Sequence, residues 1–265
     1  MNDTSNRELE QLETILDFSA RMLEKQNIDL KKIRKKKQLF LLMHIALHNI
    51  SESIFCLCKE ERTNSCFILL RTLFENHVNA KFLFCSSNLK NFHSLQGDVY
   101  REKTKQLENA WRFVESNPNH SLTPEQVIEL NLSINENKKC LDKVNALIDK
   151  YPGEVPSNLF GRAEFVDKYN EQRNKKTASL VWRYHLIYRE LSTHTHLKIS
   201  ALRNFLEQSP NEAPAAFLSG NPSNLNIVAT LTNDSLKEFV SMFMKIFNSP
   251  LKSEYSNLKL KYFNS

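Results

Sequence analysis

The chain has 265 residues, a net charge of +6, 41% hydrophobic and 25% charged residues, and only four glycines. That balance is ordinary for a soluble globular protein with a buried core, and so little glycine points to helices and few tight turns. The five cysteines are odd in number and scattered through a chain that is not small, which excludes a disulfide scaffold and predicts reduced thiols in the cytoplasm.

The N-terminus is polar and acidic, with no basic stretch leading into an apolar one, so no secretory leader is expected. Leu9, Leu12, Leu16, Met22 and Leu23 recur at helical spacing and predict a first helix from about Arg7 to Gln26. A basic run follows: Lys31, Lys32, Arg34, Lys35, Lys36 and Lys37. It is either a phosphate-binding patch or a solvated helix end. From Lys35 to Lys59 a second helix carries a nearly unbroken apolar band, Leu39 to Leu47. That predicts a central helix covered on most sides, and a band too short to span a bilayer.

A third helix runs from Thr63 or Asn64 to about Phe84, with Phe67, Leu70, Phe74, Val78 and Phe82 on its stripe. A polar stretch, Ser86 to Asp98, separates it from a helix over Val99 to Glu115. Thr123-Pro124-Glu125-Gln126 is a capping box with proline in the first turn, opening a peripheral helix that reaches about Tyr151. Tyr151 to Gly161 reads as a loop. Helices are expected from Thr177 to Leu191 or beyond, continuing over Ile199 to Leu206, and from Asn226 to Phe247. Pro210 to Asn224 reads as irregular. The chain is therefore expected to be all-α, a bundle of about seven to eight helices. Residues 1–34 form an N-terminal helix and basic run, 35–248 a single domain, and 249–265 a polar tail.

Chemistry concentrates in Tyr188-Arg189-Glu190-Leu191-Ser192-Thr193-His194-Thr195-His196. Arginine is a fixed cation and histidine titrates near neutrality, a pair suited to a phosphodiester without metal. On a continuous α-helix Arg189 and His196 lie about 20° apart, His185 shares their face, Ser192 lies about 60° away, and His194 points elsewhere. Arg71 and Glu75, one turn apart on the apolar third helix, are costly to bury unless paired. They form either half of this site or an ionic network that locks the helices. His44, His48 and Glu52 share a helical face, yet no Glu-x-x-His accompanies them. Cys56-x-Cys58 has no second Cys/His pair, so neither metal nor cofactor is expected.

Arg189 followed by His194 or His196 resembles the Arg-x(4–6)-His motif of HEPN domains, which are all-helical nucleotide-binding or RNA-cleaving domains. Arg71-Thr-Leu-Phe-Glu75 with Tyr188-x-x-x-Ser192-x-x-x-His196 resembles a bacterial helical family of unknown function, over about Leu39 to Leu206. The HEPN resemblance implies a HEPN-like core and a metal-independent endoribonuclease, a toxin or antiviral-defence effector. His196 would act at the 2′-hydroxyl and Arg189 would stabilise the phosphorane. The resemblance to the second family, not the HEPN pattern, adds Ser192, Glu75 and Arg71 to the site, with Tyr188, His185 and His194 around it. The HEPN resemblance also implies a homodimer acting on RNA, under an inhibitory or sensor protein, with no membrane. The alternative is a non-catalytic helical module that binds RNA, a nucleotide or a protein partner.

Overall fold

A computed structural model describes residues 3–26, 28–117, 122–175, 177–188, 206–207, 215–216 and 224–262. Among these residues the chain is all-α. Its helices are α1 (Asp3–Lys25), α2 (Lys35–Lys59), α3 (Thr63–Phe84), α4 (Lys90–Ser116), α5 (Pro124–Ile148), α6 (Leu159–Glu171), α7 (Leu180–Arg183), α8 (Leu225–Phe247) and α9 (Lys252–Tyr262). Tyr184–Tyr188 continues α7 as a π-turn. Leu206–Glu207 pairs antiparallel with Ala215–Ala216, so Leu206 is extended where a helix was expected. The chain forms two compact units. One is Met1–Ala80 with Lys176–Ser265, and the other is Lys81–Lys175.

In the first unit α1, α2 and α8 pack on one another. Phe18, Phe40, Leu47, Phe239 and Phe243 are fully buried there, with Phe40 stacked on Phe239 at 5.7 Å. Only one face of α2 is buried, through Phe40, His44, Leu47, Ser51, Ile54 and Cys58. Leu42 and Ile45 are exposed, which corrects the expectation of a helix covered on most sides. Apolar residues continue to Cys58, so α2 is also long and apolar enough to cross a bilayer by length and composition, a test that buried core helices pass as well.

The turn from α2 to α3 closes without glycine. Glu61 takes the left-handed conformation at φ 57°, its N–H bonds the Cys58 carbonyl at 3.0 Å, and the Arg62 N–H bonds the Leu57 carbonyl at 2.8 Å. This is a Schellman turn with glutamate where glycine is usual.

The expected polar tail contains α9. Tyr255 explains it: this ring is buried, stacks on Phe18 at 5.3 Å, and its hydroxyl donates to the Lys237 carbonyl at 2.9 Å. Burial pushes its phenol up to about 12. One aromatic anchor on a helix that is otherwise polar leaves little periodic signal in sequence.

In the second unit α4 packs along α5. α4 begins at Lys90, nine residues before the expected start, and the Lys90 N–H donates to Asn88 Oδ1 at 2.9 Å just ahead of it. Gly97, which reads as loop, lies inside it. A Cβ there would meet Val144 Cγ1 of α5 at 3.4 Å, an ordinary contact distance, so Gly97 faces α5 without being required by it. The capping box at Thr123 and Gln126 forms as expected. α6 was not expected. Asn158 Oδ1 caps it by accepting the Gly161 N–H at 2.7 Å, and Ala163 and Val166 are buried. Its Arg162 is buried, pairs with Asp98 and lies over the Phe82 ring at 5.5 Å; burial lowers it to about 10. Lys90 Nζ donates to the carbonyls of Tyr151, Pro152 and Gly153, tying down the loop after α5.

Candidate functional site

Arg71, Glu75 and Tyr188 meet in the first unit. The Arg71 Nε donates to Glu75 Oε1 at 3.1 Å, and one Arg71 Nη donates to the Tyr188 hydroxyl at 3.1 Å. That hydroxyl in turn donates to Glu75 Oε1 at 2.8 Å. The i, i+4 spacing sets the first bond, since those side chains share a helix face. The other two join α3 to the π-turn across more than 110 residues of chain.

Aromatic contacts fix the Tyr188 ring. It packs against Phe74 at 5.8 Å, stacks on Tyr184 at 4.9 Å, and lies under the Arg71 guanidinium at 5.2 Å. Burial, and then the Glu75 carboxylate, raise the Tyr188 phenol above its ordinary value. It therefore stays protonated at neutral pH and acts as a hydrogen-bond link, not as a base. Burial opposes the Arg71 charge, but the phenol and the carboxylate outweigh it and raise Arg71.

The remaining expected residues fall as follows. Arg189, Ser192, His194 and His196 lie outside the described residues. His185 is exposed, its ring edge-on to Tyr184 at 5.8 Å. The turn leading to Tyr188 is a π-turn, so a count of α-helical angles from His185 does not carry through it.

Of the basic run, Lys31, Lys32, Arg34 and Lys35 are exposed. Lys32 lies 3.4 Å from Asp29. Lys36 is buried, and Lys37 Nζ donates to the Ile246 carbonyl at 2.8 Å, satisfying the end of α8. Both lysines contribute to the packing of the first unit. His44 is wholly buried and bonded to Ser19 Oγ at 3.1 Å, while burial lowers the neighbouring His48. Among the described residues no cluster of three metal-ligating groups forms.

A second network lies beside the first and was not expected. His77, two residues after Glu75, is buried and bonds Glu238 at 2.7 Å. Arg183, the last residue of α7, lies 3.7 Å from Glu238 and 3.9 Å from Asp234. Burial raises Asp234, with Arg183 opposing it. The available signal was a histidine and a glutamate set within the apolar stripes of α3 and α8. Nothing in their spacing named a partner.

Together the two networks hold the π-turn at both ends, from α8 at Arg183 and from α3 at Tyr188. Tyr188→Phe removes one donor and one acceptor while keeping the ring. It is expected to cost about 1 kcal/mol of stability in urea unfolding. A variant as stable as the wild type would mean that the link contributes nothing.

A family model described as "Family of unknown function (DUF5677)" matches residues 36–213. Searches of curated proteins and of solved structures gave no match.

Proposed function

Because the chain belongs to this family of unknown function (DUF5677), which leaves the chemistry open, we propose from its residues that it is a metal-independent endoribonuclease. The observation that carries the reading is the bonding of Tyr188 to Arg71 and Glu75. It brings the early half of the motif against the residue that precedes Arg189. In this reading His196 takes the proton of an RNA 2′-hydroxyl, the 2′-oxygen attacks phosphorus, and the 5′-oxygen leaves. Arg189 neutralises the charge that builds on the phosphoryl oxygens. Ser192 and His194 lie beside this pair in sequence, and Arg71, Glu75 and Tyr188 hold its near end. Lys31, Lys32, Arg34 and Lys35 supply charge for the backbone of the RNA. The chain works as a homodimer under an inhibitory or sensor protein, in toxin action or antiviral defence.

A second reading has one observation in its favour. The Arg71–Glu75–Tyr188 triad is paired within itself, as a purely structural network would be. The chain would then be a non-catalytic helical module for RNA, a nucleotide or a protein.

One experiment separates the two. Wild type, Arg189→Ala and His196→Ala are expressed side by side, and total RNA and growth are followed. The ribonuclease reading expects cleavage and slowed growth with wild type, and a loss of roughly 10²- to 10⁴-fold in either variant. Intact RNA with wild type, or cutting by both variants at the wild-type rate, would end that reading.

A further inference from the structure

We propose that Cys58 and Cys66 form a peroxide-sensitive dithiol that closes to a disulfide across the α2–α3 turn. The two sulfurs lie 3.9 Å apart, and both residues are fully buried. They sit eight positions apart on either side of the Schellman turn at Glu61, whose two backbone bonds hold the end of α2 against the start of α3. A disulfide needs the sulfurs at about 2 Å, so closure brings them together from 3.9 Å.

The environment of the pair is asymmetric. Either thiol can donate to the other across the 3.9 Å gap; the contact lowers Cys66 from its ordinary value and raises Cys58. In the resting protein the Cys66 S–H donates to the Arg62 carbonyl at 3.4 Å, a bond given up when the thiolate forms. The thiolate is the reactive form, so Cys66 is the attacking sulfur and Cys58 the resolving one.

The chemistry balances with a hydroperoxide as oxidant. The Cys66 thiolate attacks one oxygen of hydrogen peroxide, the O–O bond breaks, and hydroxide leaves as Cys66 becomes a sulfenic acid. The Cys58 sulfur then attacks the Cys66 sulfur. The S–O bond breaks, and the departing hydroxide takes the Cys58 proton as water. Two thiols are oxidised, one peroxide is reduced, and two waters form in all.

Cys56 is exposed and two residues away, yet it lies on the opposite face of α2 from Cys58 and is not part of the pair. Closure joins the end of α2 to the first turn of α3, five residues before Arg71, so the oxidised protein holds the start of the helix that carries Arg71 and Glu75 more firmly.

The test uses the reduced full-length protein, treated with hydrogen peroxide under native conditions, alkylated, and digested with trypsin without reduction. Tryptic sites at Lys59 and Arg62 separate the two cysteines, so a bridge appears as two joined peptides, lighter than their sum by two hydrogen atoms. The expected result is that joined species, with fragment ions placing the bond at Cys58 and its yield unchanged in Cys56→Ser. The oxidised protein is expected to melt above the reduced one. Alkylation of both thiols in full after treatment, or a bridge formed by Cys56 instead, would overturn the proposal. The wild-type peptide map decides this without any core variant having to fold.

Discussion

Stability is expected to fall by up to about 5 kcal/mol on account of His44 alone as the pH drops from neutrality toward 3. His44 is fully buried, with Phe40, Phe239 and Phe243 around it at ring distances of 5.0 to 6.3 Å and Ser19 on Nε2. Burial, and then the charge on His48, lowers it from 6.5 to about 3. The folded protein therefore holds this ring neutral over a range where the unfolded chain takes up a proton. The contribution is complete above about pH 6.5 and is lost as the pH falls through the window down to about 3. Carboxylates titrate in the lower part of the same window, so the comparison is with His44→Gln, which keeps a polar partner for Ser19 but cannot titrate. Urea midpoints of both proteins between about pH 7 and pH 4 are the measurement. The variant is expected to show the shallower loss. Parallel curves would mean that His44 protonates freely in the folded state.

The second large effect is expected at Phe239. Its ring is fully buried, parallel to Phe40 at 5.7 Å, and edge-on to His77 at 5.8 Å. It thus sits where α2, α3 and α8 meet. Phe239→Ala is expected to cost about 3–5 kcal/mol, through lost burial plus the cavity left behind. Phe239→Leu, which refills most of the volume, should cost clearly less. Chemical unfolding followed by helical circular dichroism gives both numbers. A Phe239→Ala protein within about 1 kcal/mol of wild type would place this ring outside the core. The neighbouring Glu238 holds His77 and approaches Arg183, so the same substitution should also loosen the π-turn that presents Tyr188.

Much of the helical layout is legible without any structure. α2 and α3 begin and end where the apolar periodicity and the flanking polar residues predict, and the capping box at Thr123 is written in four consecutive residues. Local signals suffice there because helix starts and amphipathic stripes are set within a few turns. The pairing of Arg71 with Glu75 is equally local.

Elsewhere the deciding atoms are far apart in the chain. Gly97 reads as a loop residue, yet it lies buried within α4 and faces Val144 of α5. Lys36 and Lys37 read as part of a phosphate patch or a solvated helix end, and only the structure shows the first buried and the second bonded to the Ile246 carbonyl. α9 reads as a polar tail until Phe18 is found against Tyr255.

By itself the sequence determined the all-α class, most helix limits, and a candidate chemistry centred on Arg189 and His196, because propensity, capping and periodicity act within a few residues. Only the tertiary structure decided that Tyr188 closes on Arg71 and Glu75, and that His77, Glu238 and Arg183 stand behind the same turn. A hydrogen bond between groups more than 110 residues apart depends on how helices pack, and packing leaves no local mark on either partner.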